Sequence, residues 1–233
     1  MVERGGDTLG QKRKRFFCVC VLLSVDFMPL LKIEIPSSVD GREIPSRVKS
    51  RISADLARIE AFQDCWDRPQ IEQFVAADFF HMYQSLDWTL QTQLTIGKRF
   101  IEWGCGFAVV SAMASTLGLS VVGIEAESAL IEHGRATVRD WNEDVEIVHG
   151  NFLPDGAESL ADDDYLPSLG HAVASAYQTL GLDLDDFAIV YSYPWPGEDD
   201  FHEAVFERYA CVGALLIMFC GPNDIRLYRK GSR

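Results

Sequence analysis

The sequence predicts an α/β fold, a doubly wound and mostly parallel sheet with helices on both faces, and three observations predict it. From residue 96 onward short apolar runs alternate with helix-length segments. Near the start of that region Arg99-Phe-Ile-Glu-Trp-Gly-Cys-Gly-Phe-Ala108 reads as a strand, a tight turn and the N-terminus of the helix-like stretch Val109 to Leu117. The chain has 233 residues, 48% hydrophobic and 24% charged, which is ordinary globular composition with enough length for one large domain or a domain with an appendage. Strands and helices alternating at these lengths require right-handed crossovers, hence parallel pairing.

Residues 1–27 are a doubtful N-terminal extension. The basic cluster Lys12 to Arg15 and the apolar run Phe16 to Val25 outline a signal peptide, but Asp26-Phe27-Met28 stands where a small-residue cleavage site belongs. The run is also too short to span a bilayer, and the expectation is that the domain begins at Met28. Residues 28–95 read as an N-terminal strand with helices that pack on the core. A strand is expected over Leu30 to Pro36 and a turn at Asp40-Gly41. A helix over Ser46 to Trp66 carries Val48, Ile52, Leu56, Ile59 and Phe62 on one face and is stopped by Asp67-Arg-Pro69. A second is capped by Asp78 and aligns Phe79, Tyr83, Leu86, Leu90 and Leu94. The aromatic group Phe79, Phe80, Tyr83 and Trp88 reads first as core joining this helix to the sheet.

Residues 96–233 form the nucleotide-binding part. Only a residue without Cβ turns as sharply as Gly104 and Gly106 must, and lets the backbone come within hydrogen-bonding distance of a ligand. The next strand, Ser120 to Glu125, delivers a carboxylate that can accept from both hydroxyls of a ribose. A lone Gly-x-Gly also occurs at strand-to-helix turns of unrelated α/β domains; here acids at both strand ends and the order of the later strands support the ligand reading. A dinucleotide fingerprint would want a third glycine where Val109 stands, for pyrophosphate access.

The segment Glu102-Trp-Gly104-Cys105-Gly106-Phe-Ala108 resembles motif I of the class I S-adenosylmethionine-dependent methyltransferases, with Ala108 at the usual third glycine. The resemblance covers about residues 96–220 and implies a Rossmann-like fold with S-adenosylmethionine as cofactor. It implies that Glu102 lies near the ligand's amino-acid end, that Gly104, Cys105 and Gly106 pass beneath it, and that Glu125, followed by Ala126, holds the ribose. Glu146-Ile-Val-His-Gly-Asn151-Phe152 is similar to the family's next motif, which implies Asn151 at the adenine amino group and Phe152 on the ring. Asn151 also fits a plain turn after a strand. In the family the segment before motif I often closes over the cofactor, which makes Tyr83 a candidate there.

Helix Glu127 to Trp141 and strand Val145 to His149 continue the alternation, followed by a long acidic connection, Asp155 to Asp186, with a helical run expected from His171 to Leu180. Strand Phe187 to Tyr191 then leads into Ser192-Tyr-Pro-Trp-Pro-Gly197, which the rule that ligands sit beyond the carboxyl ends of strands places over the site. The position resembles the family's motif IV, but Tyr193 stands where amino-methylating members carry Asn or Asp, which argues against adenine or glutamine N-methylation. Glu198-Asp-Asp200 opens a helix to Tyr209 and suits its dipole. Strands Ala214 to Phe219 and Asp224 to Arg229 end the chain; the family usually ends with two antiparallel strands, so the C-terminal end is abbreviated.

Methyl transfer is in-line displacement at an activated sulfonium and needs a general base only when the acceptor is protonated. Tyr193, Glu198 and Tyr83 are catalytic candidates by position. A net charge of −14 argues against nucleic acid as main substrate and leaves a small molecule or a protein side chain. Six cysteines without a Cys-x-x-Cys pair read as reduced thiols of a cytoplasmic protein, and the five histidines, as surface or locally bonded residues, show no metal-ligand spacing. Two alternatives stand beside the methyltransferase: a cofactor-binding relative without transfer activity, acting as an interaction module, and an NAD-dependent oxidoreductase.

Overall fold

The computed structural model describes residues 29–65, 75–93, 95–222 and 224–232. The N-terminal extension and the helix stop at 67–69 lie outside the described residues. In chain order the regular elements are β1 (Leu30–Ile33), α1 (Ser46–Gln63), α2 (Phe79–Thr92), β2 (Arg99–Trp103), α3 (Val109–Thr116), β3 (Ser120–Glu125), α4 (Ser128–Trp141), β4 (Val145–His149), α5 (Ala176–Leu180), β5 (Ile189–Ser192), α6 (Asp199–Tyr209), β6 (Leu215–Gly221) and β7 (Asp224–Lys230). No helix among them is long and apolar enough to cross a membrane.

All seven strands join one sheet in the order β1-β7-β6-β5-β2-β3-β4. Strands β2 to β6 pair in parallel, and β7 runs antiparallel to β6. The central strands are buried on both faces, which is why β5 and β6 are written mostly in apolar residues. One face is covered by α1, α2, α3 and α4, where Ile52, Met82, Met113 and Trp141 meet Phe100 and Ile189. The other is covered by α5 and α6, where Tyr177, Val205 and Phe206 meet Ile101, Val190 and Leu216. This is the Rossmann-like arrangement that the sequence predicts.

The C-terminal end contributes one antiparallel strand, as expected, yet the sheet is not short of a strand. The place beyond β7 is filled from the other end of the chain: β1 pairs antiparallel with β7, from Leu30 opposite Lys230 to Ile33 opposite Leu227. Leu30–Ile33 therefore join the sheet, while α1 and α2 pack on it. At four residues, with Leu31 and Lys32 exposed, β1 makes a short and partly charged edge.

The helical run expected from His171 is a correction. Only Ala176–Leu180 is helical, because residues 174–176 are drawn out alongside Asn151: its N–H donates to the Ala174 carbonyl, and its carbonyl accepts from the Ala176 N–H. Gly181, at φ 63°, ends the helix. Asp78 caps α2 by accepting from the His81 N–H at 3.0 Å, as its position predicts. Phe79 and Tyr83 are core residues, with Phe80 and Trp88 packed against them.

A buried polar cluster unseen in the sequence fastens α1 to α4. Asp55, 2% exposed, accepts from Trp141 Nε1 at 2.6 Å and pairs with Arg58 at 3.2 Å, and Arg58 reaches on to Asp140 at 2.9 Å. Replacing Asp55 with alanine leaves the indole N–H unpartnered in the interior; urea unfolding of Asp55→Ala is expected to show a loss of about 2–4 kcal/mol.

Candidate functional site

The strand ends dictate the site. Where β2, β3, β4, β5 and β6 finish, Trp103, Glu125, Gly150, Tyr193 and Cys220 line one cavity of about 1160 Å³. Its floor is the turn from β2 into α3. Three residues there take left-handed backbone, Gly104 at φ 65°, Gly106 at φ 51° and Ala108 at φ 53°. The third is the costly one, since an alanine in this conformation costs about 1–2 kcal/mol. A Cβ on Gly104 would meet nothing within 4 Å, so its side of the turn is open to the cavity.

Two carboxyl groups hold this turn. Ala108 occupies the N-cap of α3 and has no side chain to cap with. Glu102, reaching over from β2, takes that role: its Oε2 accepts from the Ser111 N–H at 2.7 Å and from Ser111 Oγ at 2.5 Å. Glu125 Oε2 accepts from the Gly106 N–H at 2.7 Å, and its Oε1 accepts from the Glu127 N–H at 2.8 Å. Both acids line the cavity while only 4% and 5% exposed. Burial, against the two Ser111 bonds, pushes the Glu102 carboxyl up to about 8, and burial raises Glu125 too. Cys105 and Ala126 line the cavity beside them, and burial keeps the Cys105 thiol protonated.

Phe152 stacks on Trp103 with centroids 5.0 Å apart, and both line the cavity. Asn151 does not. Its Oδ1 accepts from the Leu153 N–H at 3.0 Å and its Nδ2 donates to the Ser168 carbonyl, so the side chain is spent on the turn. Of the three catalytic candidates, Tyr193 alone lines the cavity, half-buried and edge-on to Phe219 at 4.9 Å. Tyr83 is packed in the core. Glu198 is fully buried and gives α6 no side-chain cap.

The sequence reading missed what Glu198 does. Its Oε1 accepts from the Ser168 N–H at 2.8 Å and its Oε2 from Ser168 Oγ at 2.7 Å. Ser168 Oγ, its proton so committed, accepts from His202 Nε2 at 3.2 Å, and Ser192 Oγ then donates to His202 Nδ1 at 2.5 Å. Burial raises Glu198, but the nearby His202 ring, 3.7 Å away, and the two bonds from Ser168 outweigh it and hold the carboxyl below its ordinary value. This chain of contacts straps the 155–186 connection onto α6. His202, a locally bonded histidine as expected, also lines the cavity although it is 3% exposed. The signal for it was the spacing of Glu198 and His202, four apart on one helix.

No family model and no curated protein sequence matches the chain. Among solved structures it is similar to an RNA methyltransferase from Salinibacter ruber in complex with S-adenosyl-L-homocysteine, at 14% identity and TM-score 0.41, over 64% of this chain and 91% of that one. It is also similar to a methyltransferase from Thiobacillus denitrificans, at 12% identity and TM-score 0.38, over 59% of this chain and 46% of that one. An O-methyltransferase from Bacillus cereus matches at 14% identity and TM-score 0.43, over 76% and 66%.

Two outcomes follow from the turn and its acids. Ala108→Gly trades a lost buried methyl, about 0.8 kcal/mol, against relief of left-handed strain. Its unfolding free energy is expected within about 0.5 kcal/mol of the parent's, whereas Ala112→Gly, inside α3, should cost about 1 kcal/mol or more. Between pH 4.5 and 8 the native chain keeps a proton on Glu102 that the unfolded chain has released, so this group lowers stability as pH rises through that window. Glu102→Gln removes the effect, and its thermal midpoint is expected to exceed the parent's by a margin that widens from pH 5 to pH 8.

Proposed function

We propose that the chain is an S-adenosylmethionine-dependent methyltransferase acting on a small molecule or a protein side chain. The observation that supports this is the pair of buried carboxyl groups, Glu102 and Glu125, at the ends of adjacent parallel strands, with the open turn at Gly104 between them on one cavity. That set fits a nucleoside carrying an amino acid: Glu125 would hold the ribose hydroxyls and Glu102 the ammonium. Gly104, Cys105 and Gly106 would run beneath, with Ala126 beside them. Phe152, already stacked on Trp103, would pack on the adenine, and the polar contact would fall to backbone near Gly150, since the Asn151 side chain is engaged elsewhere. The cavity exceeds what a cofactor of that size fills and leaves room for an acceptor.

When bound, the cofactor supplies a methyl group on a sulfonium. The chain's part is to align the acceptor and exclude water. Tyr193, Pro194 and Trp195 form a rigid aromatic wall on the β5 side, where an aromatic face can favour a cationic sulfonium. Tyr193 is the candidate placed to touch an acceptor, and burial raises its hydroxyl so that it donates a proton bond rather than acting as a base. Glu198, tied to Ser168 and His202, would act as a brace of the cavity wall. The commitment of Glu198 and the burial of Tyr83 in the core favour the second reading, a binding protein without transfer, and turnover separates the two.

Calorimetric titration of the full chain is expected to give micromolar binding of S-adenosylmethionine and S-adenosylhomocysteine, weakened at least tenfold in Glu125→Ala. The thermal midpoint of the free variant reports separately on its lost bonds to Gly106 and Glu127. Binding of NAD alone would overturn the proposal, and cofactor binding without methylation across amine, hydroxyl, thiol and protein acceptors would select the second reading.

A further inference from the structure

Tyr191 poses a problem that the protein by itself leaves unsolved. It lies on β5, directly opposite Glu102 of β2 and Ile217 of β6, and its residue is 2% exposed. Its hydroxyl has no hydrogen-bond partner, although Tyr191 lines the cavity. A tyrosine hydroxyl in this position loses its water and gains nothing, where a phenylalanine would fill the same space without loss. The ionisable groups that bear on it, Glu102, Tyr193 and Cys220, all line the same cavity. Burial, then the charge of Glu102, drives the hydroxyl well above its ordinary value, so it keeps its proton and can donate. Both bonds from Ser111 fall on Glu102 Oε2, which leaves Oε1 free of them.

A donor beside an acceptor carboxyl, both buried and both at the cavity wall, is matched to a ligand end that carries an anion and a cation together. We propose that the Tyr191 hydroxyl donates to the carboxylate of the ligand's amino-acid end while Glu102 accepts from its ammonium, so that Tyr191 selects the intact amino acid over the same nucleoside without its carboxylate. The inference rests on the cofactor reading above and adds a residue to which the resemblance assigns no role. Glu102 is then ionised in the complex, and binding below about pH 8 releases its proton.

The test compares S-adenosylmethionine with decarboxylated S-adenosylmethionine on the full chain and on Tyr191→Phe. The parent is expected to prefer the carboxylate-bearing ligand by about tenfold or more, the usual scale for a hydrogen bond to a charged group. In Tyr191→Phe that preference should collapse through loss of affinity for S-adenosylmethionine alone, with the free variant's thermal midpoint equal to or above the parent's. Equal affinities in the parent, or an unchanged preference in the variant, would overturn the inference and leave the cofactor reading standing. A variant that melts lower or fails to fold would also overturn it, since that result gives the hydroxyl a structural partner. A parent that binds neither compound overturns the cofactor reading, and the inference with it.

Discussion

The site depends on one constraint: the chain must leave β2 and begin α3 within five residues, and the first N–H groups of that helix need acceptors. The residue at the N-cap, Ala108, cannot supply one. Glu102 does so from the end of the preceding strand, and Glu125 does the same for Gly106 and for the entry to α4. A carboxyl group is costly to bury, and here it is tolerated because amide and hydroxyl donors surround it. The acids that the resemblance assigns to a ligand are thus the acids that shape the floor on which a ligand would rest. A Cβ on Gly134 of α4 would lie 3.0 Å from the Gly106 carbonyl, so α4 packs closely against the turn and leaves it little freedom.

The opposite wall is made by different means. Between β4 and β5 the chain runs through more than thirty residues with only short helical turns, and such a segment needs side-chain anchors. Ser168 provides one through Glu198, His202 and Ser192, and Asn151 provides another by pairing with Ser175. Pro167, Ser168 and His171 are thereby held at the cavity, with His171 3.5 Å from Glu127.

Much of this architecture could be read from the residues, because strands buried on both faces and helices with one apolar stripe leave periodic marks. The caps and glycines did so as well: Asp78 before Phe79, and Gly104 and Gly106 after an apolar run. What could not be read was long-range. His171 to Ser175 have helical composition, and the helix starts only at Ala176 because Asn151 pairs with Ala174 to Ala176. Glu198 reads as a helix-opening acid, and only the fold brings Ser168 to it from thirty residues away. Tyr191 reads as one more apolar strand residue, since a sequence does not tell which hydroxyl will lack a partner. The seventh place in the sheet was invisible for the same reason, as nothing local in Leu30 to Ile33 names β7 as its neighbour.

That placement of β1 bears on the order in which the molecule can assemble. The pairs β2 with β3, β3 with β4 and β5 with β6 are each joined by one crossover, and β5 returns to β2 across about ninety residues, whereas Leu30 waits for Lys230 across nearly the whole chain. A contact of such long range carries the largest loop-closure entropy in the sheet and favours late formation. Until then β7 presents an open edge on one side, and the finished sheet is sealed by a strand made first and docked last.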